Sequence, residues 1–100
     1  PERNRFASFR EAYHGDTIGS VSVGYVKSFH RQFKSMLFPV YRAESPCCGT
    51  CAHGKKSETC GLECFDSMRR IVSRHARKLA GVIVEPLCQG AAGMRMYAPK

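Results

Sequence analysis

One hundred residues make one small domain at most, and a 43% apolar composition is that of a folded chain, which excludes a disordered one. No apolar run approaches the roughly 20 residues a membrane-spanning helix needs, and Pro1-Glu2-Arg3-Asn4-Arg5 carries charge with no apolar segment behind it, so no secretory signal pattern is read. The net charge of +8 would suit nucleic acid, but its densest group, Arg69, Arg70, Arg74, Arg77 and Lys78, has the spacing of the wet face of a helix. The expectation is therefore no nucleic-acid partner and no membrane.

In chain order, Arg5 to Arg10 reads as a short strand, although Phe6 and Phe9 do not alternate cleanly. Tyr13-His14-Gly15 is a turn. Asp16 or Thr17 then caps a helix through Ile18, Val21 and Val23, which Gly24 ends. Ser28 to Leu37 is a second short helix or an irregular segment, and Phe38 to Tyr41 is extended. Residues 43 to 61 form a Cys-rich loop. Leu62 to Leu79 is the clearest helix, with Phe65, Met68, Val72, His75 and Leu79 on one apolar stripe. After Gly81, the β-branched run Val82-Ile83-Val84 reads as a strand buried on both faces of a parallel sheet. The order β, α, (α), loop, α, β is an α/β pattern. Two or three strands cannot bury both faces of such a sheet, so the chain reads as an internal piece of a longer protein.

Two strings carry the chemistry. The run Val82 to Pro86 delivers a carboxylate, Glu85, to the carboxyl end of a strand, where ligands of open α/β sheets gather. It continues into the glycine-bearing loop Gln89-Gly90-Ala91-Ala92-Gly93-Met94. The other string, Tyr13-His14-Gly15-Asp16-Thr17, sets an aromatic ring before a glycine and a capping acid.

Together, Arg10 to Gly24 and Ala80 to Tyr97 resemble the class III, fold-type I aminotransferases that use pyridoxal 5'-phosphate (PLP), and within them the biotin-pathway branch. The resemblance implies a three-layer α/β/α fold with a mostly parallel sheet. Residues 1–100 would be an internal segment of the PLP-binding large domain, with a Cys-rich insertion at about 43–61. It implies that Tyr13 stacks on the pyridine ring and also faces the substrate, that Asp16 lies near the substrate, and that Glu85 lies by the cofactor. His14, Gly15 and Gln89 are lesser candidates at the same site, with His14 read as a structural hydrogen-bonding group. The Tyr13 phenol and the Glu85 carboxylate are expected on opposite sides of one pocket. No lysine here matches the family's Schiff-base lysine, so that catalytic group is expected outside these residues and this piece alone is expected to be inactive. The branch moves an amino group from S-adenosylmethionine or lysine to 8-amino-7-oxononanoate, and its members are cytoplasmic homodimers. The alternative within the class is another ω-aminotransferase.

Six cysteines without a secretory signal read as reduced thiols or a metal site. Cys48, Cys51, Cys60 and Cys64 have spacing that suits tetrahedral zinc, with Cys47 or His53 as substitutes, and with the positive charge they would fit a small zinc-binding nucleic-acid module. The enzyme-like flanks and the lack of stacking aromatics in the cluster speak against that module. The expectation is no resident metal. A bound ion would staple the loop and take no part in catalysis.

Overall fold

Strand β1 (Arg5–Phe9) is the middle of a three-stranded parallel sheet, between β2 (Tyr41–Ala43) and β3 (Leu79–Val82). Ala7, Ser8 and Phe9 pair with Tyr41, Arg42 and Ala43, whereas Arg5, Phe6 and Ala7 pair with Leu79, Gly81 and Val82 across a bulge between Arg5 and Phe6. This computed structural model describes residues 2–56 and 58–99. No helix among them is long and apolar enough to cross a membrane.

Parallel neighbours require crossover connections. The first runs through α1 (Ile18–Gly24), the short α2 (Lys27–His30) and a 3-10 stretch at Arg31–Met36. The second runs through a 3-10 turn at Glu63–Phe65 and α3 (Asp66–His75). One leads from β1 out to β2 and the other returns across β1 to β3. Two crossovers of one hand that move in opposite directions leave their helices on opposite faces, and the packing agrees. Met68 of α3 is buried with Ala7, Phe9, Ala43 and Leu79, with Tyr41 and Ile71 against them. On the other side Phe6 meets Phe38 at 6.4 Å, over a hollow that Gly19, Ser20 and Val23 of α1 help to line. Phe6 and Phe9 thus serve different faces, which explains their broken alternation.

Several boundaries differ from the sequence reading. Of the two cap candidates it is Thr17 that caps α1, its hydroxyl accepting the Ser20 N–H at 3.2 Å. Gly24 is the last residue of α1, and the left-handed residue that closes it is Tyr25, at φ 42°. Gly24 serves a close approach instead: a Cβ there would lie 3.0 Å from the His14 nitrogen and 3.1 Å from the Ala12 carbonyl oxygen. Leu62, at φ 59°, is left-handed and stands outside the helix; a 3-10 turn at Glu63–Phe65 follows it and α3 starts at Asp66. It stops at His75 because the next backbone belongs to the sheet: the Lys78 carbonyl accepts from the N–H groups of Asn4 and Arg5 at 3.1 and 3.0 Å. Its inward stripe is Met68, Ile71 and His75, the last stacked on Tyr41 at 3.9 Å, while Phe65 and Val72 are each 40% exposed.

Leu79 and Gly81 therefore belong to β3, three residues earlier than the β-branched run suggested. Val82 and, beyond the strand's end, Val84 are exposed, so the run is not buried on both faces among the described residues. Arg69, Arg70, Arg74, Arg77 and Lys78 are all exposed, as expected of a wet face.

Beyond β3 the chain makes a small antiparallel hairpin, β4 (Cys88–Gln89) with β5 (Arg95–Met96). Gln89 clasps it to the sheet. Its fully buried amide donates to the Arg10 carbonyl at 2.8 Å and accepts a hydrogen bond from the Ser45 hydroxyl. The segments leaving β1, β2 and β3 at their carboxyl ends are thereby drawn together. Arg42 ties β2 to α1 by donating to the carbonyls of Ser22 and Gly24 at the helix end.

Three substitutions test this packing by denaturant unfolding. Met68→Ala is expected to cost about 2–5 kcal/mol and Val72→Ala, on the exposed side of the same helix, under about 1 kcal/mol. Gln89→Ala strands the Arg10 carbonyl and is expected to cost about 1–3 kcal/mol.

Candidate functional site

The loop after β1 and the loop after β3 are joined by one side chain. Glu85 accepts the Tyr13 backbone N–H on Oε1 at 2.8 Å and the Gly90 backbone N–H on Oε2 at 3.0 Å. Both carboxylate oxygens thus make charge-assisted bonds to main chain, the strong kind. The structure brings Tyr13 and Glu85 together, but as direct neighbours. The carboxylate sits at the ring's own backbone rather than facing the phenol across a pocket, because its oxygens are taken up by the N–H groups of the two loops. Each loop also holds a non-glycine residue in the left-handed region, Glu11 at φ 63° and Leu87 at φ 68°. Such strain persists where surrounding bonds over-determine the backbone and clusters at functional sites.

Tyr13 is half-buried and held at three places. Its N–H is on Glu85. Its hydroxyl donates to Asp16 Oδ2 at 2.7 Å. Its ring lies parallel to the His30 ring, 9° apart in plane with centroids 6.1 Å apart. Asp16 turns its other oxygen, Oδ1, to His30 Nε2 at 3.1 Å. The bond to the carboxylate raises the Tyr13 phenol above its ordinary pKa. The same bond, followed by the one from His30, lowers Asp16 below the usual carboxylate range, so Asp16 is ionised at neutral pH. Gly15 makes the turn between them at φ 127°, and a Cβ there would sit 3.0 Å from Cβ and Oγ of Ser20.

The remaining candidates divide. His14 was read as a structural hydrogen-bonding group, but its Nε2 is buried with no partner among the described residues. Burial lowers its pKa, against the opposing pull of Glu85, and keeps it neutral. Gln89 spends its amide on the clasp to Arg10 and Ser45, so it serves as a fastener of the loop. Two residues given no role in the sequence reading belong to the cluster. Tyr97 packs by Phe9 with its hydroxyl buried and without a hydrogen-bond partner among the described residues, and burial, with Glu85 adding to it, pushes its phenol up to about 12. His30 lies fourteen positions beyond Asp16 in a segment without a motif, and no spacing rule would have found it.

Cys47, Cys48, Cys51, Cys60 and Cys64 border a separate open cavity of about 900 Å3, shared with Tyr97 and Pro99. None of the described cysteines is in a disulfide. Among the described residues no three His, Cys, Asp or Glu side chains are arranged to hold a metal ion. His53, a candidate substitute ligand, is paired with Glu44 at 2.7 Å. Burial, then neighbouring thiols, raise Cys48 and Cys64, while a hydrogen bond with Thr50 lowers Cys47.

Comparison with known proteins agrees with this architecture. The sequence profile of the family described as aminotransferase class-III matches residues 1–100. The chain is 48% identical over 95 residues to the adenosylmethionine-8-amino-7-oxononanoate aminotransferase of Geobacter sulfurreducens, covering 94% of this chain and 21% of that protein. It is 47% identical over 92 residues to the enzyme of the same name from Nitratidesulfovibrio vulgaris, covering 92% of this chain and 17% of that protein. The crystal structure of the Methanocaldococcus jannaschii enzyme of that name superimposes with a TM-score of 0.77 at 36% identity, over 97% of this chain and 19% of that one. A transaminase solved with L-ala gives a TM-score of 0.78 at 27% identity, over 100% of this chain and 24% of that one. The chain thus spans about a fifth of the length of the curated relatives it matches. Its partial α/β fold, with a parallel sheet between helices, is that of the fold-type I transaminases, and the chain belongs to the class-III aminotransferase family.

Proposed function

We propose that these residues are a segment of the PLP-binding large domain of a homodimeric, cytoplasmic aminotransferase. Its reaction transfers an amino group from S-adenosylmethionine or lysine to 8-amino-7-oxononanoate, giving 7,8-diaminononanoate in biotin biosynthesis. The observation that carries the reading is the three-point mounting of Tyr13, with an ionised carboxylate hydrogen-bonded to its hydroxyl. The names of the relatives at 48% and 47% identity supply the substrate class.

The residues present fit the ring of PLP. A flat conjugated ring needs an aromatic face that does not move, and Tyr13 offers a half-buried ring backed by the parallel His30 ring and anchored through its N–H. Stacking of this kind contributes about 0.5–1.5 kcal/mol beyond burial. When bound, PLP supplies the carbonyl that takes up and releases the amino group and the conjugation that stabilises charge at the reacting carbon. Glu85 keeps the Tyr13 backbone in place by accepting its N–H. Gly15 lets the loop turn tightly under the ring, where a Cβ would collide with Ser20. The Asp16 side chain is 72% exposed and negatively charged, suited to an ammonium group, which S-adenosylmethionine and lysine both carry. His14 is half-buried, with its Nε2 enclosed and its pKa lowered by burial.

The full-length protein, loaded with PLP, is expected to form 7,8-diaminononanoate from 8-amino-7-oxononanoate with S-adenosylmethionine or lysine, read by mass spectrometry. Product with neither donor, together with turnover of other ω-amino substrates, would move the protein to another branch of the class. Tyr13→Ala is expected to raise the dissociation constant for PLP about tenfold, and Tyr13→Phe, which keeps the ring, to stay within about twofold of wild type. Equal affinity in all three proteins contradicts the stacking role.

A further inference from the structure

His30 sits where its two nitrogens do different work. Nδ1 accepts the Val26 backbone N–H at 3.0 Å, so that nitrogen carries no proton. The ring is then neutral with its hydrogen on Nε2, which points at Asp16 Oδ1, 3.1 Å away. A single tautomer satisfies both bonds. The ring is fixed by its surroundings: His30 is 3% exposed and is the buried residue of α2. Phe29 meets it edge-on at 6.0 Å, Tyr25 lies tilted at 6.4 Å, and Tyr13 is parallel at 6.1 Å. Its acceptor is the opposite kind of group, since the Asp16 side chain is 72% exposed.

We infer that His30 is a positioning residue that fixes the direction of the Asp16 carboxylate, and through it the Tyr13 hydroxyl, and so sets the protein's grip on its amino substrates. This rests on the reading above in which Asp16 meets the substrate ammonium. The geometry carries the inference because each oxygen of Asp16 has one donor from a different element: Oδ1 takes the imidazole N–H from α2, and Oδ2 takes the phenol O–H from the loop after β1. Two fixed donors set the plane of a carboxylate that would otherwise rotate in solvent, and its remaining lone pairs face outward. A neutral imidazole does this without cancelling the charge, whereas an arginine or lysine in its place would neutralise the site. A purely structural histidine would need the Val26 bond and the ring packing, and would have no use for a second nitrogen aimed at a surface acid.

The test uses the full-length holoenzyme and separates the two nitrogens. Asparagine at position 30 can still accept the Val26 N–H but cannot reach Asp16, whereas glutamine can extend an amide N–H toward Asp16. His30→Asn is expected to raise KM for the amino donor about five- to tenfold, a larger change than in kcat, and to lower the thermal midpoint because a buried ring is lost. His30→Gln is expected to bring KM back to within about twofold of wild type. In the cofactor-free protein, nuclear magnetic resonance of labelled imidazole nitrogens is expected to show His30 protonated on Nε2 alone, a readout that does not depend on activity. An Nδ1-protonated ring overturns the inference. So does an unchanged KM in His30→Asn while Asp16→Asn raises KM, because Asp16 then acts without its partner. If Asp16→Asn itself leaves KM unchanged, the underlying assignment of Asp16 to the substrate fails, and the inference fails with it for that separate reason.

Discussion

The site depends on a carboxylate whose hydrogen bonds, among the described residues, go to main chain. Glu85 directs both oxygens to main-chain N–H groups, one in each of two loops that are more than seventy residues apart in the chain. A carboxylate in such a place can afford partial burial because charge-assisted bonds replace its lost hydration. The result is that Tyr13, the Gly90 turn and Gln89 are held in one frame. The charge also shapes what surrounds it. Tyr97 stays a neutral phenol well past its ordinary range, chiefly through burial and then through this carboxylate. His14 stays a neutral imidazole because burial outweighs the same attraction. The negative charges of the cluster therefore remain with Glu85, which is committed to the scaffold, and with Asp16, which is turned outward.

This division between an inward and an outward acid follows from topology. All the residues concerned lie in segments that leave the sheet at the carboxyl ends of its strands, where a parallel sheet brings together loops from distant parts of the chain. β1 and β3 pair directly, so the Tyr13 and Glu85 loops emerge side by side. β2 pairs with β1 from the other edge and sends Ser45 to the Gln89 amide. α1 returns close enough that Gly24 lies against the backbone of Ala12 and His14, which closes the loop from the other side. The short α2 then delivers His30 beneath the Tyr13 ring.

Much of this was legible in the residues, and the misreadings have physical causes. Arg5–Phe9 and a helix around Met68 and His75 announce themselves by composition and spacing. Helix ends do not: Leu62 adopts a left-handed backbone that no propensity signals, and the backbone near Lys78 is captured by a partner seventy-odd positions away. Of the run Val82-Ile83-Val84 only Val82 lies in the strand, which ends there. The run cannot say how many neighbours the strand has, and here Val82 and Val84 are exposed. The string from Tyr13 to Thr17 identified the ring and the acid but gave the cap to either Asp16 or Thr17. Packing decided between them, because Asp16 is drawn off by His30, a contact with no sequence period. Gln89, a lesser candidate in the Glu85 loop, is a buried fastener. The cysteine spacing would admit a zinc site; the thiols line one cavity and act on each other's ionisation, but among the described residues no three His, Cys, Asp or Glu side chains are arranged to hold a metal ion.

Between β1 and the anchored Tyr13 lie only Arg10, Glu11 and Ala12. Arg10 is pinned at both its N–H and its carbonyl, Glu11 already bends through the left-handed region, and Ala12 is buried. That connector has no slack. Adding or removing one residue there would rotate the phenol away from its acid, whereas the stretch from Cys47 to Lys56, where the Gly54 N–H closes a local turn on the Cys51 carbonyl, can absorb changes of length. Insertions and deletions that arise as the gene diverges should therefore accumulate in the cysteine stretch and be purged from the connector.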